Sequence, residues 1–309
     1  MSEDAASYSI SSFSNCELDV RARAVLLAFA EHKILSTDQI EVLFCGSDRS
    51  AQRVLQELRD AGLISSFEWQ SSSRTRDANR HFLTPAGARL VASWRRCRVA
   101  ELGAIPVDED AAKKLMPHRA GVNRFFADLV RETLKHPGYG VEAWRDEHKL
   151  RTPFGEIQPD SFGRLLHPGS AVEFYFEYDR DTEHVKPLLD KFASYLRIAS
   201  TWESLDGKPF PAVLFVVPSD DRERALLKAL LKALQQWDPA YARTAILPLY
   251  CTTVVRLIKA KQLGPVWRDM FLRRPERLRL DQLPSIDAEP YHLEDCLGRR
   301  WAKPKKADG

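Results

Sequence analysis

Two stretches decide the fold of the second half of this chain: Ile157-Gln158-Pro159-Asp160, and then Glu173-Phe174-Tyr175-Phe176-Glu177-Tyr178-Asp179. Each is an apolar, strand-like run that ends on carboxylates. Strands that exclude water and deliver acidic groups to one rim of a sheet are a common framework for metal-dependent phosphodiester chemistry. The two stretches therefore raise a question about function as well as about fold.

The segments around these two strands extend the same pattern. A helix is predicted over 118–134, and Val141-Glu142-Ala143-Trp144 predicts a strand that Glu147 follows. Two later apolar runs, Phe210–Val217 and Ala245–Tyr250, predict strands, the first of them buried on both faces. Helices are predicted between these strands over about 182–198 and 221–236. The order strand, strand, strand, helix, strand, helix, strand predicts a mixed α/β domain over 118–285.

Residues 17–100 predict a different architecture. Helical periodicity covers Glu17 to His32, Ser36 to Gly46 and Ser47 to Gly62, and the third of these helices has a buried stripe of Ala51, Val54, Leu55 and Leu58. Residues 63–69 and 80–83 predict a two-stranded ribbon around a polar loop, and Thr84-Pro85-Ala86-Gly87 begins a closing helix. Three helices, a ribbon and a closing helix predict a winged helix-turn-helix. The expected fold class is therefore α/β, or α+β overall.

The face of the third helix that lies opposite its apolar stripe is cationic. In a winged helix-turn-helix this helix enters the major groove and the ribbon loop touches the DNA backbone or the minor groove. Arginine, serine and glutamine are residue types that contact base edges or phosphates. The candidate DNA-binding residues are Arg49, Ser50, Gln52, Arg53, Arg74, Arg76 and Arg80. A winged helix that only contacts other proteins is the alternative.

Composition sets limits but does not identify a function. The chain has 309 residues, and 46 Lys+Arg against 43 Asp+Glu give a formal net charge of only +3. The basic residues form islands, which are candidate phosphate-contacting faces. A Ser-rich N-terminal tail over 1–16, a linker over 101–117 and a basic C-terminal tail over 286–309 complete the predicted organisation.

Several classes of protein are disfavoured by what the sequence contains. Its five cysteines are scattered without a CxxC pair, which argues against a disulfide framework or a structural zinc site. No apolar run approaches the roughly 20 residues of a membrane span. Since there is also no signal peptide, we expect a cytoplasmic protein without a membrane partner. A phosphate-binding P-loop, a histidine cluster and a GxSxG motif are also missing.

The order of these motifs resembles known families. The first domain is similar to the winged helices of bacterial transcription regulators, and the second is similar to the PD-(D/E)XK, restriction-endonuclease-like fold. Most of the chain resembles the replication-relaxation family of plasmid and mobile-element proteins. The matching phrases are His118 to Leu129 with Asn123, Trp144 with Glu147, Ile157-x-Pro159-Asp160, Phe176-Glu177-Tyr178-Asp179-Arg180-Asp181-Thr182, and Lys191 with Tyr195.

The resemblance implies a DNA-binding accessory protein of plasmid or mobile-element replication, relaxation or mobilisation. Its expected partners are double-stranded DNA, a relaxase or replication protein, and a second copy of the chain, since winged helices commonly act as dimers. In this interpretation the second domain is a degenerate relative of a nuclease, and no cofactor is needed. The alternative is a Mg²⁺-dependent DNA endonuclease that its winged helix directs to a target.

The alternative requires a specific set of residues. Asp160 and Glu177 are the natural Mg²⁺ ligands, and Glu147 is a candidate third carboxylate. The family pattern expects a lysine two residues after Glu177, but Asp179 stands there with the opposite charge. Lys191, on the following helix, is the residue that compensates if its amine reaches the carboxylates, and Tyr195 lies one turn further on the same helical face. The catalytic candidates are therefore Asp160, Glu177, Lys191, Glu147 and Asp179.

Overall fold

The computed structural model describes residues 18–69, 79–146, 157–180, 185–206, 210–234, 247–271 and 276–283. The chain forms two compact units, 1–119 and 120–309. Among the described residues, the first unit contains a three-stranded sheet and the second a six-stranded sheet. The mixed α/β class predicted from the sequence is confirmed. Both predicted tails lie outside the described residues.

The described part of the first unit alternates helices with short strands. Its elements are α1 (Val20–His32), β1 (Ile34–Ser36), α2 (Thr37–Ile40), α3 (Asp48–Asp60), β2 (Ile64–Glu68), β3 (Asn79–Leu83) and α4 (Pro85–Trp94). The strand order is β1-β3-β2, with both pairs antiparallel. The sequence predicted the β2–β3 ribbon but not β1, because three residues are too few to show an alternating pattern.

Side-chain caps fix the helix starts of this unit where the sequence predicted them. The Ser47 hydroxyl accepts a hydrogen bond from the Ser50 backbone N–H at 3.4 Å, and the Thr84 hydroxyl accepts one from the Gly87 N–H at 3.1 Å. Such caps satisfy backbone donors that have no partner within the helix. At Gly46, where φ is +70°, the chain adopts a left-handed conformation that favours glycine, and α3 begins two residues later.

The helix α5 (Glu109–Thr133) begins earlier than the sequence predicted. The prediction placed its start at His118, because residues 101–117, with their small and acidic side chains, were interpreted as a linker. In the structure Pro117 lies inside the helix, and the Asp108 carboxylate accepts a hydrogen bond from the Ala111 N–H at 2.8 Å. Acidic residues in the first turn also favour a start at this point. The predicted linker over 101–117 therefore contains the first turns of α5.

The described part of the second unit is built on a mixed sheet. After α5 its elements are β4 (Gly140–Asp146), β5 (Ser161–His167), β6 (Ser170–Tyr178), α6 (Val185–Asp206), β7 (Ala212–Val217), α7 (Asp220–Leu234), β8 (Leu249–Thr253), α8 (Val254–Ala260) and β9 (Arg268–Asp269). The strand order is β4-β5-β6-β7-β8-β9. The strands β6, β7 and β8 are parallel, and the other pairs are antiparallel. The predicted order from β4 to β8 is confirmed, but the stretch 157–160 predicted as a strand precedes β5, which begins at Ser161. The elements α8 and β9 were not predicted.

The sheet separates two apolar cores. Because strand side chains alternate, Tyr175 packs on one face of β6 with residues of α6 and α7, while Phe174 and Phe176 pack on the other face with residues of α5. All six residues of β7 are buried, as predicted for a strand covered on both faces. Glu177 alternates with Phe176, so it shares the face of Tyr175 and is directed toward α6.

The end of β6 is packed tightly against α5. A Cβ atom added at Gly121 would lie 2.1 Å from the Tyr178 ring, so only glycine fits at this point of the helix. Tyr178 separates Glu177 from Asp179 in the chain. The close approach therefore holds in place the backbone that carries both carboxylates.

No helix in the described part of the chain is long and apolar enough to cross a membrane.

Candidate functional site

The solvent face of α3 is the first candidate site. Its buried stripe is the predicted one, Ala51, Val54, Leu55 and Leu58. On the opposite face, Arg49, Gln52, Arg53 and Gln56 are exposed. Neighbours on the same helix orient these side chains: the Gln52 amide donates to the Asp48 carboxylate at 2.8 Å, and Arg53 lies 3.8 Å from Glu57. Exposed pairs of this kind are weak, so these groups remain available to a ligand.

A cleft of about 440 Å³ lies between this face and β3. Its lining residues are Thr37, Arg49, Gln52, Arg53, Leu55, Gln56, Arg59, Asn79 and His81. Arg49, Gln52 and Arg53 were predicted as DNA-binding residues, whereas Gln56, Arg59 and Asn79 were missed. The helical period gives the signal for Gln56 and Arg59, because they continue the exposed face by two more turns. Arg59 donates to the Gln56 side-chain oxygen at 2.7 Å, which links the two.

His81 contributes no charge to this cleft near neutral pH. Burial, reinforced by the nearby positive charges of Arg59 and Arg80, lowers the pKa of His81 to about 3. Its Nε2 atom is hydrogen-bonded to the Thr37 hydroxyl at 3.0 Å. The imidazole is therefore a neutral part of the cleft wall, and the positive charge of the lining comes from three arginines.

Two other predicted DNA-binding residues, Ser50 and Arg80, are not among the residues that line the cleft. Ser50 is half-buried, and its hydroxyl accepts a hydrogen bond from Arg21 of α1 at 2.9 Å. Arg80 is half-buried in β3, opposite Ser36 and Phe67 of the neighbouring strands. Arg74 and Arg76 lie outside the described residues.

The second candidate site is formed where β5 begins and β6 ends. These strands are antiparallel with Ser161 opposite Phe176, so the register directs Asp160 toward Glu177. The Asp160 carboxylate accepts a hydrogen bond from the Tyr178 backbone N–H at 2.7 Å. This contact fastens the residue before β5 to the last residue of β6. The structure thus brings together the two carboxylates predicted as metal ligands.

Two donors from α6 converge on Glu177. Lys191 donates to one carboxylate oxygen, and the Tyr195 hydroxyl donates to the other at 2.6 Å. Lys191 and Tyr195 are four residues apart, so they lie on the same face of α6. Whether the lysine can act on the carboxylates depends on this contact between Lys191 and Glu177.

Glu177 is deeply buried, with 2% of its surface exposed. Burial, reinforced by the negative charge of Asp160, raises the pKa of Glu177 to about 8. The contacts with Lys191 and Tyr195 act in the opposite direction and only partly offset the rise. The environment of Glu177 therefore disfavours an ionised, unpaired carboxylate.

Asp179 belongs to a separate ion pair. Its backbone N–H donates to the Val216 carbonyl at 2.9 Å, which continues the parallel register of β6 and β7. Its carboxylate accepts from Arg222 in the first turn of α7, at 2.7 Å from Nε and 3.4 Å from Nη2. Both partners are buried. Arg222 was missed from the sequence, because a contact between residues 43 positions apart leaves no local signal.

A divalent metal at the Asp160–Glu177 site would need several ligand atoms that converge on one point. Within the described segments, no group of three or more His, Cys, Asp or Glu side chains is arranged to hold a metal ion. The Lys191 ammonium contacts Glu177 directly, where a metal ion would have to bind. Glu147, the predicted third ligand, lies outside those segments. The described residues therefore do not fit a Mg²⁺ centre.

Comparison with known proteins gives one match. A family model described as replication-relaxation matches residues 26–212, more than half of the chain, and this range includes α3, Asp160, Glu177 and Lys191. No curated protein matches the chain, and no solved structure matches it.

Proposed function

This chain belongs to the replication-relaxation family, and on that premise we propose that it is a double-stranded-DNA-binding accessory protein of plasmid or mobile-element replication, relaxation or mobilisation. The cationic cleft along α3 is the observation that carries the proposal. Three arginines and two glutamines line it, and none of the described residues that line it is acidic. A polyanion is the ligand that such a surface favours.

The order of elements in the first unit supports the same proposal. Its three helices, antiparallel ribbon and closing helix follow the order expected of a winged helix-turn-helix, a motif whose third helix enters the major groove. Ten residues separate Arg49 from Arg59, so the exposed face of α3 extends about 15 Å at 1.5 Å per residue. A face of this length can contact several consecutive base pairs of a duplex.

The residue types indicate both affinity and base readout. Arginine contacts phosphates and the acceptor edge of guanine, while glutamine forms paired hydrogen bonds with adenine. The face of α3 carries both types, since Arg49, Arg53 and Arg59 are interleaved with Gln52 and Gln56. A surface that only attracted phosphate would not need the glutamines.

The test is duplex binding by the purified full-length protein with Arg49→Ala and Arg53→Ala combined. We expect weaker binding and a salt dependence that becomes shallower by about one unit of logarithmic slope for each lost phosphate contact. A matched control, Arg124→Ala with Arg197→Ala, removes the same charge from exposed positions in the second unit. Affinity and salt slope unchanged by the α3 substitutions would instead favour a winged helix that contacts protein.

A second candidate function is metal-dependent DNA cleavage by the second unit. The closeness of Asp160 to Glu177 is the observation that favours it, whereas the Lys191 ammonium in contact with Glu177 argues against a metal ion there. The test is incubation of supercoiled plasmid with the protein and Mg²⁺ or Mn²⁺, in parallel with Asp160→Ala and Glu177→Ala. Nicking that both substitutions abolish would establish cleavage, and gel-shift binding without nicking would leave the accessory function.

A relaxase or replication protein and a second copy of this chain are proposed partners. The family membership supports the first of these, since a DNA-binding accessory protein has to act with the proteins that process the DNA. Copurification with a plasmid-borne relaxase and measurement of the solution mass test the two separately.

A further inference from the structure

We propose that Lys191 occupies the position that a divalent cation would take beside Asp160 and Glu177, so that the second unit is complete without a metal ion. This inference goes beyond the proposed function, and it does not depend on whether the first unit binds DNA. It rests on the arrangement of four side chains at the junction of β5, β6 and α6.

The first argument is access. Glu177 is 2% exposed, whereas the Lys191 side chain is 29% exposed. The lysine therefore lies between the buried carboxylate and solvent, with its ammonium group in contact with one of the Glu177 oxygens. A metal ion that entered from solvent would have to displace this ammonium group to reach that oxygen.

The second argument is saturation of the carboxylates. Tyr195 is fully buried and donates to the other Glu177 oxygen at 2.6 Å. One oxygen of Asp160 accepts the Tyr178 N–H. At least three of the four carboxylate oxygens therefore already accept a hydrogen bond from the protein. A metal ion needs several oxygen ligands from one side, and this set provides few that are not already engaged.

The third argument is charge. Buried charges are tolerated when they are paired and hydrogen-bonded. Lys191 supplies one positive charge in direct contact with the buried Glu177 carboxylate. The charge of that carboxylate is therefore paired by a group that belongs to the chain.

A lysine in this position has a chemical consequence. An ammonium group can attract a phosphate, but it does not lower the pKa of a coordinated water as a metal ion does. The second unit would then hold a nucleic-acid backbone without generating the hydroxide that cleaves it.

The experiment is Mn²⁺ binding to the full-length protein near neutral pH, followed by the electron paramagnetic resonance signal of free Mn²⁺. We expect no saturable site in the wild type. Lys191→Met should gain one Mn²⁺ equivalent, and adding Asp160→Asn to that variant should remove it. Lys186→Met, which removes an exposed lysine from the same helix, should behave as the wild type.

Two results would overturn the proposal. Saturable Mn²⁺ binding by the wild type that Asp160→Asn abolishes would show that the lysine does not replace a metal ion. A Lys191→Met variant that is folded by circular dichroism and gains no site would show that the lysine is not what excludes one. If Lys191→Met does not fold, Lys191→Gln keeps a hydrogen-bond donor to Glu177 without the charge and is measured in its place.

Discussion

The face of α3 and the Glu177 cluster both combine basic with acidic side chains, but the charges on α3 are exposed and the carboxylate at Glu177 is buried. On α3, Arg53 lies 3.8 Å from Glu57, and more than half of each side chain is exposed. At Glu177, the carboxylate is 2% exposed, and two donors on α6 already engage it. The same residue types are therefore available to a ligand in one region and used by the protein itself in the other.

The difference shows that burial, more than residue identity, decides what a charged side chain does. Water screens an exposed ion pair, so breaking it to bind a phosphate costs little. A buried charge that loses its partner has no such compensation, and removing one partner costs several kilocalories per mole. Arginines and lysines that look alike in the sequence thus divide into those that bind ligands and those that hold the fold.

The largest expected effect is on stability, from Arg222→Ala. This substitution leaves the buried Asp179 carboxylate without its guanidinium partner. We expect a loss of about 3–5 kcal/mol in the free energy of unfolding, measured by urea denaturation. Arg53→Ala, which breaks the exposed pair on α3, should cost less than about 1 kcal/mol.

The control for this comparison is Arg222→Met with Asp179→Leu. Replacing both partners by apolar groups removes the unpaired charge, so stability should recover toward that of the wild type. Equal losses in the free energy of unfolding from Arg222→Ala and Arg53→Ala would mean that burial does not separate the two regions.

The next effect is on DNA affinity, from Arg59→Ala. Arg59 lines the cleft and is oriented by Gln56, and its loss should weaken duplex binding by about 1–3 kcal/mol if it contacts a base edge. Binding to a pool of random-sequence duplexes distinguishes a contact with a base edge from a contact with a phosphate. A changed sequence preference indicates a base contact, and a uniform loss indicates a phosphate contact. An affinity equal to that of the Arg124→Ala control would remove Arg59 from the DNA-binding surface.

The two regions also differ in how far the sequence predicted them. Helical periodicity placed the buried stripe of α3, and the capping residues Ser47 and Thr84 placed two helix starts, because these signals are local. The exposed face followed from the same period. Gln56 and Arg59 were missed although the period includes them, because the prediction stopped at the second turn.

In the second unit, the sequence predicted most of the strands but only part of the contacts. The apolar runs placed β6 and β7, whereas β5 begins at Ser161, directly after the run predicted over 157–160. The position of Lys191 on the next helix indicated that it could reach Glu177. The pairing of Asp179 with Arg222 was not predictable, because it depends on how α7 packs against the sheet. The predicted start of α5 was wrong because residues 101–117 were interpreted as a linker, although Asp108 caps a helix within them.

A smaller effect is expected in the pH dependence of stability. Burial raises the pKa of Glu177 from 4.5 to about 8, so the folded state holds a proton that the unfolded state releases between these values. The stabilising contribution is complete below pH 4.5 and is lost as the pH rises through 8. Glu177→Gln should lack this dependence, with a difference in slope of at most about 1.4 kcal/mol per pH unit. Urea denaturation across the pH range measures it, and parallel curves for the two proteins would contradict it.

The smallest effect is expected from Glu57→Gln on α3. Glu57 is exposed beside Arg53 and places a negative charge near the proposed DNA-binding face. Removing that charge should strengthen duplex binding by about 0.2–1 kcal/mol, because Arg53 no longer has to leave a partner. The gain should disappear at high salt, where both the pair and the phosphate contact are screened. Unchanged affinity at low salt would mean that Arg53 does not contact DNA. A loss of several kilocalories per mole in the free energy of unfolding would mean that this exposed pair matters as much to the fold as the buried pair at Asp179.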